Sequence, residues 1–407
     1  MNQIKNKIII TTLLFLVSFI IRAVFLVFVR GTDVPLDGDE GSYHVPASEV
    51  VQGHRWENSD RPPLTSIVLI PLYFMFGPKI IMGRLLMIII SSLTAPAIFL
   101  FVKTIFNGRK NIGIIAAGFW CIYPPSIFYS SLILTENLAS LLSVISIGLL
   151  FISFRRKNIL IMILTGFFMG LCVLNRSSFY YLPGFLMIIN LVLFRYLSLS
   201  LKNIFKQWIF ILLGTFLSLM PWTIKNYINH GIFMPIESRL GTILYVCNSD
   251  LTHEDIQAGM YYKNPYIKSV ISEELSQIEI DNMMKKIAIA EIKKNWRLLP
   301  KPLFNRAKNF WTFRPDPYDD HFTRNDWIML FIWLPTLIFF VISFRSKYCL
   351  KNWPMSVVIF YVFLTTLPFW GIPRFRFPVD PFIIIGAVIG GTLVFDHYKK
   401  KIIQNGL

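Results

Sequence analysis

Ten separate apolar runs dominate the chain, at about 8–29, 80–103, 112–132, 137–154, 158–175, 179–197, 204–224, 327–344, 353–370 and 378–396. A helix needs ~20 apolar residues to cross the hydrocarbon core of a bilayer, and in lipid the backbone must satisfy its own hydrogen bonds. A chain that repeats this pattern is confined to an all-α polytopic membrane protein, here a bundle of about ten transmembrane helices. Composition agrees: 54% of the 407 residues are hydrophobic and 15% are charged, where a soluble domain keeps about a quarter charged. The first run follows Lys5 and Lys7. It is too long for the apolar region of a signal peptide and lacks a small-residue cleavage site, so it is read as a retained helix.

The net charge of +17 could suit a nucleic acid, but its distribution does not. The basic residues collect in alternate short loops: Lys103, Arg109 and Lys110; Arg155, Arg156 and Lys157; Arg195, Lys202 and Lys206; Arg345, Lys347 and Lys351; Lys399, Lys400 and Lys401. That is the positive-inside pattern, and it expects both termini in the cytoplasm and no nucleic-acid partner. The apolar stretch from Pro63 to Gly77 has 15 residues and is interrupted by Pro71. It reads as an interfacial or re-entrant helix rather than a span.

Two long segments then lie on the outer side, 30–79 and 225–326. The expected division is a transmembrane module over 1–224 that includes the first outer loop, an outer subdomain over 225–326, and C-terminal helices over 327–407. From Glu273 to Trp296, Leu275, Ile278, Met283, Ile287, Ile289 and Ile292 recur at helical spacing and predict an amphipathic helix. Trp311, Phe313 and Trp327 are expected at headgroup level. Of Cys121, Cys172, Cys247 and Cys349 only Cys247 falls outside, so no structural disulfide is expected there.

The chemistry-bearing groups collect at the outer ends of the runs. Asp39 and Glu40 follow the first run directly; one can act as a general base while the other orients it, or the acids can simply solvate a loop or cap a helix. Arg61, in Asp60-Arg61-Pro62-Pro63, offers a planar fork suited to phosphate oxygens, or a surface ion pair. Glu136, in Leu134-Thr135-Glu136, is either functional or a cap on the next helix. Arg84 and Arg176 could hold phosphate or snorkel to headgroups. Arg374 and Arg376, flanked by Pro373 and Pro378, place positive charge where the positive-inside pattern would leave none. Arg22 lies inside the first run and should face the bundle or snorkel. Asp60 and His54 are weak candidates to share a metal, and no metal-binding spacing is present.

These motifs together resemble the GT-C membrane glycosyltransferases, specifically the protein O-mannosyltransferase and lipid A aminoarabinose transferase group. Asp39-Glu40-x-x-Tyr43 is similar to that family's D-E-x-x-Y. Asp60-Arg61-Pro62-Pro63, leading into Phe76-Gly77, resembles its acid-base-Pro segment, with Asp where Glu is common. Leu134-Thr135-Glu136 resembles the acid of its second outer loop. Pro221-Trp222-Thr223-Ile224-Lys225-Asn226-Tyr227 resembles its P-W-x-x-[RK]-N-Y, and Arg374-Phe375-Arg376-Phe377-Pro378 its R-[YF]-R-x-P.

The resemblance implies a GT-C-like bundle and an inverting glycosyltransferase that moves a sugar from a polyprenyl-phosphate donor to a protein, lipid or glycan acceptor. Asp39 would be the base, with Glu40 beside it and Glu136 in support; Arg61 would bind the donor phosphate, helped by Arg374, Arg376 and Arg84. No cofactor is required, and a divalent metal is not indicated. The alternatives are a lipid-linked sugar flippase or transporter, or a surface-polysaccharide ligase or polymerase. The setting is expected to be a bacterial cytoplasmic membrane, with the site on its outer face among membrane lipids.

Overall fold

The computed structural model describes residues 2–56, 59–106, 110–196, 200–262, 275–318, 321–346 and 353–404. Arg109, Lys347, Cys349 and Lys351, named above, lie outside them, as does the Glu273 end of the predicted amphipathic helix. No strand occurs among the described residues.

The helices in chain order are α1 (Asn2–Val24), running into a π-helical turn Phe25–Arg30, α2 (Gly41–Val51), α3 (Leu64–Phe76), α4 (Ile80–Ile105), α5 (Lys110–Ile122), α6 (Pro124–Ser130), α7 (Thr135–Arg156), α8 (Ile159–Asn175), α9 (Leu182–Val192) and α10 (Leu201–His230). Then come α11 (Leu240–Asn248), α12 (Gln277–Lys294), α13 (Pro300–Trp311), α14 (Arg324–Ser343), α15 (Trp353–Thr366) and α16 (Asp380–Gln404). Every predicted apolar run falls on a helix. Among the described residues six helices are long and apolar enough to cross a membrane, or seven if α5 and α6 form one bent span. The expectation of about ten is therefore not met on length. The segments Ile159–Asn175, Ser177–Val192 and Trp353–Thr366 are apolar but shorter; the chain turns after Asn175 through Ser177–Phe179 and re-enters a helix at Leu182-Pro183. Exposed Leu13, Ile20, Phe216, Phe331 and Val341 on α1, α10 and α14 give the bundle an apolar exterior, as an integral membrane protein requires.

One continuous core runs through α4, α5, α7, α8 and α16, with α3, α10 and α15 packed against it. Gly166 and Gly214 let α8 and α10 approach closely: a Cβ on Gly166 would collide with the Ile211 carbonyl, and one on Gly214 with that of Ile163. This is the small-residue route to helix contact in lipid, where apolar burial alone gives little drive.

Arg22 faces the bundle and is fully buried. The reason lies in α5 and α6, which meet at a bend of 54°. Pro124 and Pro125 open α6 and have no N–H to give, so the carbonyls four residues earlier, Trp120 and Cys121, lose their helical donors. Arg22 takes both, from Nη2 at 3.3 Å and Nη1 at 3.4 Å. Its Nε reaches Ser91 Oγ at 2.9 Å, and Nη2 also reaches Ser126 Oγ at 2.9 Å. An arginine in an apolar helix thus repairs a helix broken elsewhere.

The region between α10 and α14 packs α12 on α11. The stripe on α12 that packs there is Ile280, Met284, Ile287 and Ala288, whereas Ile289 is exposed; the predicted set is right at Ile287 and one face off at Ile289. Asp281 accepts from Gly241 N at 3.0 Å and Thr242 N at 2.7 Å, capping α11. Trp311 and Phe313, expected at headgroup level, pack against the core, and Trp333 Nε1 donates to Trp311 O at 2.9 Å. Trp327 is exposed. Arg306, fully buried on α13, donates to Asn248 Oδ1 at 3.1 Å and to the Leu367 and Pro368 carbonyls at 3.2 and 3.3 Å. It bolts α11 and α13 to the chain after α15. Cys121, Cys172 and Cys247 are free and buried.

Candidate active site

Four elements bring their charged side chains together where α1, α3, α7 and α16 begin or end. Asp39 sits in a short 3-10 turn, Gly38–Glu40. That turn starts from Gly38 at φ +53°, a conformation glycine adopts without the steric cost of a Cβ. Arg61 stands before α3, held at its start by Pro63. Glu136 occupies the first turn of α7, and Arg374 lies in the helical turn Pro373–Arg376 ahead of α16.

Arg374 joins the two acids. Its Nε donates to Glu136 Oε1 at 2.6 Å and its Nη1 pairs with Asp39 Oδ2 at 2.9 Å. Arg61 Nη2 holds the other oxygen of Asp39 at 2.5 Å, and Arg176 Nη1 reaches Glu136 Oε1 at 3.0 Å. The result is a chain of alternating charge, Arg176–Glu136–Arg374–Asp39–Arg61. Three guanidiniums face two carboxylates, which leaves the chain one charge positive and suited to an anion. Asn175 prepares Arg176 for its place: its Nδ2 donates to Thr135 O at 2.8 Å and its Oδ1 accepts from Thr65 Oγ1 at 2.8 Å, tying α8 to the starts of α7 and α3.

Glu136 is fully buried, whereas the side chains of Asp39, Arg61 and Arg374 are 31%, 22% and 26% exposed. The solvent-facing end of the chain is therefore Asp39 with its two arginines. Burial pushes the Asp39 carboxyl up, but the Arg374 and Arg61 guanidiniums outweigh it and hold it below the usual carboxylate value. The Arg61 Nε is buried and has no hydrogen-bond partner among the described residues, a donor left over for a ligand.

Glu40, expected beside Asp39, goes elsewhere. Adjacent residues on a 3-10 turn point about 120° apart. The Glu40 carboxylate is fully buried and receives Arg84 Nη2 at 3.1 Å, Arg30 Nη2 at 3.4 Å, Ile133 N at 2.9 Å and Asp37 N at 3.0 Å. Of the acids expected to cap a helix here, Asp37 rather than Asp39 is the N-cap, in a capping box with Glu40 over the turn Gly38–Glu40. Arg84 also donates to the Val34 and Pro35 carbonyls, at 2.6 and 3.0 Å, and is fully buried. It holds the loop after α1 rather than opening toward Asp39.

The paired arginines divide in the same way, because residues two apart on a helix lie on opposite faces. Arg376 is buried, pairs with Asp380 Oδ1 at 2.9 Å, donates to the Phe310 and Thr312 carbonyls at 2.6 and 3.1 Å, and lies 3.6 Å over the Trp333 ring. Its hydrogen bonds serve the core and not the Asp39–Glu136 chain. His54 is exposed, and no group of three His, Cys, Asp or Glu side chains that could hold a metal occurs among the described residues.

Two charged groups near the site carried no signal in the sequence. Glu237 and Arg239 follow α10, and the Arg239 charge acts on Asp39 while the Arg61 charge acts on Glu237. Neither belongs to a motif or a periodic pattern; only their place just after the P-W-x-x-[RK]-N-Y resemblance could have pointed to them.

Solved structures share this architecture. The archaeal oligosaccharyltransferase AglB from Archaeoglobus fulgidus, in complex with an inhibitory peptide and a dolichol-phosphate, matches with a TM-score of 0.60 at 14% identity, over 98% of this chain and 52% of that one. An Archaeoglobus fulgidus oligosaccharyltransferase tethered to an acceptor peptide gives 0.60 at 12% identity, over 97% and 51%. ArnT from Cupriavidus metallidurans in the apo state gives 0.46 at 10% identity, over 96% and 77%. The chain spans about half the length of the two oligosaccharyltransferase structures. The sequence matches no protein-family model and no curated protein. At these identities the likeness is one of fold.

Proposed function

We propose that this chain, which has the GT-C fold, is an inverting glycosyltransferase that takes a sugar from a polyprenyl-phosphate donor and passes it to an acceptor at the outer face of the membrane. The observation that carries the reading is the Asp39–Arg374–Glu136 bridge with Arg61 on the far side of Asp39. It sets a carboxylate between two guanidiniums at the more solvated end of the charge chain. One of the neighbours named above, the archaeal oligosaccharyltransferase AglB, holds a dolichol-phosphate, a precedent in this fold for lipid-phosphate binding.

In this mechanism Arg61 and Arg374 do two jobs. With no donor bound they neutralise Asp39. A donor phosphate competes for them, and each guanidinium drawn off raises the basicity of Asp39. Asp39 then takes the acceptor's proton as the acceptor oxygen attacks the anomeric carbon from the side opposite the phosphate. The C–O bond to phosphate breaks, and the arginines stabilise the charge that develops there. Glu136 fixes Arg374 from the interior. Glu40, Arg84 and Arg376 build the frame.

Concentration of charge at the ends of α7 and α8 favours the enzyme over a transporter, whose ionisable groups gather near the bilayer midplane. The test is transfer from synthetic polyprenyl-phosphate sugars by the purified chain. Asp39→Asn should abolish transfer while donor binding persists, and Arg61→Ala should raise the donor KM more than the acceptor KM. Wild-type turnover by Asp39→Asn would overturn the base assignment. A cysteine at Ser42 should be labelled from outside intact cells; protection there would overturn the outer placement.

A further inference from the structure

The stretch 367–372, between α15 and the turn that carries Arg374, belongs to no helix, yet it is fixed at several points. Arg306 donates to the Leu367 and Pro368 carbonyls, and Asn248 Nδ2 donates to Pro368 O at 2.9 Å. Gly371 lies so close to α13 that a Cβ there would collide with the Arg306 carbonyl. Arg306 is fully buried and makes no salt bridge among the described residues. Its hydrogen bonds go to an amide and to carbonyls, so its charge is spent on holding this stretch against α11 and α13.

The side chain that the stretch presents is Trp370, and printed contacts lead from it to the ion-pair chain. Its ring lies within 13° of parallel to that of Phe375, with centroids 6.0 Å apart, the offset arrangement that aromatic pairs favour. The Arg176 guanidinium lies 5.3 Å over the Phe375 ring, and the same arginine holds Glu136 through Nη1 at 3.0 Å. Tyr261 meets Trp370 edge-on at 5.0 Å. A row of three rings thus ends on Arg176, and its last ring belongs to the residue next to Arg374. None of the three is buried: Tyr261 is exposed, and Trp370 and Phe375 are partly so. The Nε1 of Trp370 is closed to water and has no hydrogen-bond partner among the described residues.

These features together match one ligand chemistry. A pyranose ring has an apolar face of C–H groups, which suits the negative face of an aromatic ring, and a rim of hydroxyls that need polar partners. A hydrocarbon chain would also cover the rings. It would leave the Trp370 N–H unpaired and would strip water from the Arg176 guanidinium, and both are costly.

We propose that Trp370 and Phe375 form a sugar-binding subsite beside Arg374, stacking the pyranose ring that reacts there and pairing the Trp370 N–H with one of its hydroxyls. The inference rests on the glycosyl-transfer reading and adds to it the groups that recognise the sugar. The subsite binds and orients; the proton and the breaking bond stay with Asp39 and the arginines. The ring is that of the donor or that of a glycan acceptor, which offer the same apolar face, and the arms of the experiment separate them.

The experiment measures the affinity of the purified full chain for polyprenyl phosphates bearing glucose, mannose or galactose, and for the same polyprenyl phosphate without sugar. Trp370→Ala should weaken binding of a sugar-bearing lipid ~10-fold and leave the sugar-free lipid within ~2-fold of wild type. Phe375→Leu should act in the same direction. Trp370→Phe, which keeps a ring but has no N–H, should fall between wild type and Trp370→Ala, and these two variants carry the test if Trp370→Ala fails to fold. That pattern seats the donor sugar on the rings. Unchanged binding of both lipids with a KM for a glycan acceptor raised ~10-fold seats the acceptor sugar there. Equal weakening of both lipids assigns the rings to the polyprenyl chain and overturns the subsite. Variants with wild-type lipid binding and wild-type acceptor KM overturn it as well, and leave the transferase reading standing. Lipid binding needs no turnover, so a wild type that binds these lipids but transfers no sugar overturns the transferase reading, while the same comparison of variants still decides the subsite.

Discussion

Asp39 and Glu40 are neighbours in sequence, and exchanging each for its amide should separate chemistry from stability. Glu40→Gln keeps the size of the side chain but removes the charge. Both oxygens of Glu40 already receive N–H groups, from Ile133 N on one side and from Asp37 N and Arg84 Nη2 on the other. Whichever way a glutamine amide turns, its NH2 would confront a donor. Arg84, fully buried, would in either orientation lose its counter-charge and keep the Val34 and Pro35 carbonyls. Removing one partner of a buried pair costs about 3–5 kcal/mol, and an unmet buried N–H about 1–3 kcal/mol. The terms overlap, and about 4 kcal/mol is the working figure, a large part of the 5–15 kcal/mol that holds a typical fold. Asp39→Asn loses ion pairs that are partly solvated and screened, worth about 1 kcal/mol or less. The assay is an apparent thermal midpoint in detergent beside sugar transfer. Glu40→Gln should lower the midpoint by ~5–10 °C; Asp39→Asn should hold it within ~2 °C while losing ~100-fold or more in kcat. A Glu40→Gln chain as stable as the wild type but inactive would refute the reasoning and return Glu40 to the chemistry.

Arg374→Lys keeps the charge but loses the fork that spans Asp39 and Glu136, so kcat should fall ~10–100-fold with the fold intact; unchanged turnover would show that bridging is dispensable. Arg22→Leu should cost about 1–3 kcal/mol, because Ser126 Oγ still serves Trp120 O while Cys121 O loses its donor. Adding Pro125→Ala, which returns an N–H to that carbonyl, should recover part of the loss in a thermal double-mutant cycle, and strict additivity would argue against the repair. Because the Asp39 carboxyl titrates below its ordinary value when folded, its contribution to stability is complete above about pH 4 and is lost as pH falls through the folded value. The stability difference between wild type and Asp39→Asn should therefore be flat above pH ~5 and shrink below pH ~4; a difference that changes between pH 6 and 8 instead would contradict this.

Helix positions were legible from composition and period because lipid leaves the backbone no other way to pair its polar groups. Each apolar run falls on helix, the run 112–132 on two, α5 and α6, and the residues at run ends that meet at the site, Asp39, Arg61, Glu136 and Arg374, could be named from their place beside those runs. Direction was not legible. Glu40 and Arg376 sit one and two residues from site groups, yet a helical turn aims them into the interior, where Arg84 and Asp380 wait on other elements. Linear spacing says which residues are near one another along the chain, while the angle between their side chains depends on the conformation each turn adopts. Partners more than two hundred positions apart, such as Arg374 and Glu136, are decided only by packing. Glu237 shows the same limit: nothing in its neighbours marks it, and its segment is placed by Trp222 and Asn226, which pin the carbonyls before it against α10.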